Sequence, residues 1–76
     1  MEAALQDMLL QCGVTDAINR NDWLEAISYL EHFENQMLAG IALCVIYEAM
    51  TGECVKNLLM AGANVLEQIR TRINLN

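Results

Sequence analysis

Eleven consecutive residues, Met37 to Tyr47 (MLAGIALCVIY), carry no charge, in a chain of only 76 residues. That run constrains the fold more than any other feature. As helix it rises about 16 Å, well short of the ~30 Å hydrocarbon layer that takes ~20 apolar residues to cross. It is therefore expected inside the protein. The chain has no proline, few clustered β-branched residues, and many Ala, Leu, Met, Glu and Gln, so helix is favoured almost throughout. A helix apolar nearly all round must be covered on both sides.

The surroundings of that run are also apolar. Hydrophobic residues make up 55% of the chain and charged ones 18%, which excludes intrinsic disorder. A domain this small buries only about 60% of the surface its unfolded chain exposes. The chain thus has more apolar surface than interior, and part of it is expected to face a partner. The length fits one domain, residues 1–76.

Charge is unevenly spread. Residues 1–55 hold nine acids and one base, Arg20, for −8; residues 56–76 hold Lys56, Arg70 and Arg72 against Glu67, for +2. The total of −6 lacks the basic footprint that phosphate binding needs, so no nucleic-acid partner is expected. Cys12, Cys44 and Cys54 are odd in number and form no CxxC, and His32 has no partner at metal-ligand spacing. No nucleophile elbow, phosphate loop or metal motif is present. Glu25, Glu31 and Glu48 read as solvated helix faces rather than as acid/base groups. No catalysis, cofactor or metal is expected. The start, Met1-Glu2-Ala3-Ala4, lacks the basic region and apolar core of a signal peptide, and no segment suits membrane insertion, so a cytoplasmic protein is expected.

Along the chain, Leu5, Met8, Leu9, Cys12, Ala17 and Ile18 recur at helical intervals from Ala3 to Arg20. Gly13 and Thr15 leave open one helix or two. Asn19-Arg20-Asn21 reads as a turn. Asp22 with Glu25 is a capping-box-like pair opening a helix with the stripe Trp23, Leu24, Ala26, Ile27, Leu30 and Phe33, which Glu34-Asn35 ends. A third helix runs from about Gln36 to Thr51, with Gly52 as its left-handed cap. A fourth begins at Glu53 and is interrupted at Gly62. A last helix carries Val65, Leu66, Ile69 and Ile73 inward. The prediction is all-α: four to five antiparallel helices in helix hairpins, one at 3–34, one at 36–61, then a C-terminal helix at 63–74.

The hairpins repeat. Asn21-Asp22-Trp23-Leu24-Glu25-Ala26-Ile27 and Gly52-Glu53-Cys54-Val55-Lys56-Asn57-Leu58 occupy equivalent places 31 residues apart. Tetratricopeptide repeats have this layout, with a ~34-residue period and a small residue where Ala26 stands. From Leu9 to about Ala63 the chain resembles one family within that class, the small tetratricopeptide-type chaperones of the type III secretion needle subunit. The resembling segments are residues 19–27, Ile41-Ala42-Leu43-Cys44 and Glu48-Ala49-Met50-Thr51-Gly52-Glu53. The second copy departs from the repeat, with Asn57 in place of the alanine and no terminal proline.

The resemblance implies a bacterial cytoplasmic chaperone in a hetero-oligomer. Its partners are the needle subunit, held monomeric through its amphipathic helix, and a second small helical co-chaperone. By position, the first helix of each hairpin would line the groove: Met8, Gln11, Thr15 and Ile18, then Ala39, Ala42, Ile46, Ala49 and Met50. Trp23, Ile27, Leu30, Val45, Leu58 and Leu59 are expected in the core. Two other readings fit the composition: a homodimeric helical adaptor, and a small phage-type inhibitor binding a host protein through its acidic surface.

Overall fold

Local backbone chemistry sets where each helix starts and stops. The computed structural model describes residues 3–75, and all regular structure within them is α-helical. The helices are α1 (Ala3–Gln11), α2 (Val14–Asn19), α3 (Trp23–Leu30), α4 (Gln36–Thr51), α5 (Lys56–Met60) and α6 (Val65–Leu75).

Six helices rather than four or five arise because Gly13, in the left-handed region at φ 92°, breaks the first segment in two. The break is fixed from outside as well. A β-carbon on Gly13 would stand 3.1 Å from Cε2 of Tyr29, so the ring packs directly on the bare backbone. Asn21, at φ 57°, then closes α2: its N–H donates to the Ile18 carbonyl at 3.0 Å, and that of Asp22 to Ala17 at 2.8 Å. This is a Schellman ending with asparagine in the place glycine usually takes.

Asp22 caps α3 as expected, its carboxylate accepting from the Glu25 N–H at 3.2 Å. The other half of the capping box is absent. The Glu25 carboxylate accepts instead from the Tyr29 hydroxyl at 2.8 Å and from Arg20 at 2.6 Å. Tyr29, and then Arg20, hold that carboxyl below the usual carboxylate range. Asp22→Ala is expected to destabilise the fold by about 1 kcal/mol, seen as a lower urea midpoint with unchanged slope.

Asn35 does not end α3. That helix stops at Leu30, and the Asn35 side chain caps α4, accepting from the N–H groups of Met37 (2.9 Å) and Leu38 (3.3 Å). The far end of α4 lies at Thr51 with Gly52 left-handed at φ 73°, as predicted. The fourth helix starts later than predicted, at Lys56 rather than Glu53. Side chains of α4 hold the intervening backbone: Thr51 Oγ1 accepts from the Glu53 N–H at 3.1 Å, and Glu48 from the Val55 N–H at 2.9 Å. Gly62 closes α5 and Asn64 caps α6, accepting from the Glu67 N–H at 3.0 Å.

Helix α4 is the hub. It packs against α2, α3 and α6, while α2 also packs against α1 and α3. Its packing mate on the C-terminal side is therefore α6 rather than the short α5, so the predicted hairpin over 36–61 is not the main pairing. The core combines Leu5 and Leu9 of α1, Val14 and Ala17 of α2, and Ala26, Ile27 and Leu30 of α3. Ala42, Ile46 and Tyr47 of α4, with Val55 and Ile69, complete it.

Several side chains lie elsewhere than predicted. Ala42 and Ile46, assigned to the groove, are completely buried and belong to the core. Leu59, assigned to the core, is 55% exposed: within the single turn of α5, Leu58 packs inward and its neighbour turns out. Val45 is half-buried rather than central, while Trp23 and Leu58 pack against the core without being enclosed by it.

Candidate functional site

The central helix leaves space on one flank. A cleft of about 440 Å³ opens between α1, α2 and α4, within the ~300–1,000 Å³ range of ligand-sized clefts. Leu9, Leu10, Ile18 and Val45 give it apolar walls, and Gln6, Asp7 and Thr15 a polar border. Leu9 is buried and forms part of the floor, whereas Leu10 stands 56% exposed at the mouth. One turn before Val45 on the same face of α4 lies Ile41, 40% exposed. Next to it, a β-carbon on Gly40 would meet nothing within 4 Å. Apolar surface therefore continues from the cleft onto the outer face of α4.

Two of the nine predicted contact residues, Thr15 and Ile18, line this cleft. Met8 is turned from it and packs against the core, as does Met50. Gln11 and Ala49 are exposed without lining it. Ala39 lies on the other side of α4, in a smaller groove of about 170 Å³ bordered by Leu43, Ile27, Leu30, Leu66 and Arg70. The nine residues are thus divided between the cleft, the core, the open surface and a second groove.

Gln6, Asp7, Leu9 and Leu10 are not among the predicted contact residues, and Val45 was expected in the core. Leu10 carried a usable signal. It is a large apolar residue outside the stripe of Leu5, Leu9 and Cys12, so the helix that buries that stripe must leave it exposed.

The cleft lining contains no cysteine or histidine. Burial, and then the nearby Glu48 carboxylate, push the Cys44 thiol up, which keeps it neutral at neutral pH. Among the described residues no three His, Cys, Asp or Glu side chains converge as metal ligands. Nor, among them, is any helix long and apolar enough to cross a membrane. No family model, no curated protein and no solved structure matches the chain.

Proposed function

We propose that the chain is a non-catalytic binding module that takes the apolar face of a partner's amphipathic helix into the cleft between α1, α2 and α4. The observation that carries this reading is the exposed Leu10 at the mouth of an apolar cleft, continuous with Ile41 on the hub helix. Helix-in-groove recognition uses such a surface: apolar anchors repeating along one face of the ligand fill a trough between two helices. Here Leu9 and Leu10 of α1, Ile18 of α2 and Val45 of α4 supply the apolar surface, and Thr15 lies at its border.

In its finer form, resting on the family resemblance, the ligand is the type III secretion needle subunit. The chain then works in the bacterial cytoplasm as a chaperone beside a second small helical co-chaperone. Occupying the face through which subunits assemble blocks polymerisation by competition, and no chemistry is required.

The test is co-expression with a needle subunit, followed by measurement of co-purification, oligomeric state and affinity. Leu10→Gln keeps a helix-forming residue of similar length but removes an apolar anchor. It is expected to weaken capture at least tenfold, the equivalent of losing about 1.5–3 kcal/mol of leucine burial, with helicity unchanged. A well-behaved monomer that ignores the subunit contradicts the finer reading. Full capture by Leu10→Gln moves the site away from the cleft.

A further inference from the structure

The cleft has a charge as well as a shape. Its one ionisable lining residue is Asp7, which is exposed. Both ion pairs among the described residues are made by Arg20, to Asp22 and Glu25, so neither engages Asp7.

The chain's other bases lie elsewhere. Arg72 stacks over the Tyr47 ring at 5.2 Å and donates to Gln68, and Arg70 borders the groove on the opposite side of α4. Lys56 opens α5. An apolar trough bordered by a carboxylate that forms no ion pair among the described residues, on a chain of net charge −6, selects its occupant. A second copy brings another −6 overall, and α6, which carries Arg70 and Arg72, already packs on α4 with Ile69 buried. It is a poor match, whereas a partner helix with a basic border is complementary.

We infer that the cleft takes a partner helix whose apolar stripe is bordered by lysine or arginine. The apolar side chains rest against Leu9, Leu10, Ile18 and Val45, and a basic head group reaches Asp7. A long basic side chain suits this place, because its methylene stem covers apolar wall while its charge stays at the wet rim. The inference rests on the reading of the cleft as a helix-binding site and adds the charge class of the ligand.

The test uses two fluorescein-labelled model peptides of about 18 residues, or five helical turns. They share one leucine/alanine stripe; one is bordered by lysines and the other by glutamates. Each is titrated with the full chain and followed by anisotropy at about 50 mM and about 300 mM salt, where screening differs strongly. The lysine peptide is expected to bind about tenfold more tightly at the lower salt, and most of that advantage is expected to vanish at the higher.

Asp7→Lys is expected to cut the advantage about fivefold, and Asp7→Asn by about half as much. Asp16→Lys makes the same change in net charge on α2, outside the cleft lining, and is expected to leave the advantage in place. Equal effects of Asp7→Lys and Asp16→Lys trace the attraction to net charge and overturn the inference. So does equal binding of the two peptides, and if Leu10→Gln still weakens both, helix docking itself stands. Failure of both peptides to bind overturns the docking reading together with the inference.

Discussion

Ile46→Ala is expected to cost about 3–4 kcal/mol, a large part of the ~4–11 kcal/mol that a domain of this length commands. Ile46 is one of the largest completely buried side chains, and it sits on the helix that meets α2, α3 and α6. Truncation leaves a cavity in the fully buried core, which packed helices close only in part. In urea the midpoint should fall sharply while the slope stays the same. Ile46→Asp is expected to go further and leave the chain unfolded, because a carboxylate there has no buried partner to receive it. The contrast with Leu10→Gln is diagnostic: one change removes the fold, the other only the capture of a ligand. An Ile46→Asp protein that kept its helicity and lost only binding would return Ile46 to the surface of the groove.

Gly13→Ala is expected to be the most damaging change among the glycines, at about 2–4 kcal/mol. Part of the cost is conformational, since an L side chain at φ 92° loses about 1–2 kcal/mol. The rest is steric. The new methyl group meets the Tyr29 ring at 3.1 and 3.2 Å, and moving the ring breaks the hydroxyl bond to Glu25. A double-mutant cycle separates the two parts. In a Tyr29→Ala background the Gly13→Ala penalty should shrink to its conformational share, and the coupling should exceed ~0.5 kcal/mol. Equal penalties in both backgrounds would falsify the packing of the ring on the glycine.

What the sequence made legible follows the range of the interactions involved. Asp22 and Gly52 were readable because a cap is a bond between a side chain or backbone and groups three or four residues away. The start of α5 was not, because it is delayed by Glu48 reaching the Val55 N–H seven residues on. Asn35 was assigned to the wrong side of its loop: an asparagine between helices serves either as an ending or as a cap, and only the backbone it reaches decides which.

The site was half legible for a related reason. On α2, Val14 and Ala17 are buried while Thr15 and Ile18 flank them on the side that stays partly open, so that side has a definite direction. On α4 the apolar residues run all round, and a helix turns by about 100° per residue, so the pattern carries no phase. Shifting by one residue exchanges Val45, which lines the cleft, for Ile46, which is fully enclosed. Across Gly13 the same failure recurs. The left-handed turn reorients α1 relative to α2, and a face extended straight through it lands on Met8 and Gln11 in place of Asp7 and Leu10.

The position of α4 separates this chain from the repeat stacks its hairpins resemble. In a stack each unit contributes its own stability and a term with its neighbour, so units can be added or removed nearly independently. Here one helix is the shared wall of α2 and α3 before it and of α6 after it. Without that wall both sides lose part of their packing, so no separable unit is expected. A single cooperative melting transition is the expected result, without the repeat-by-repeat stability of a solenoid.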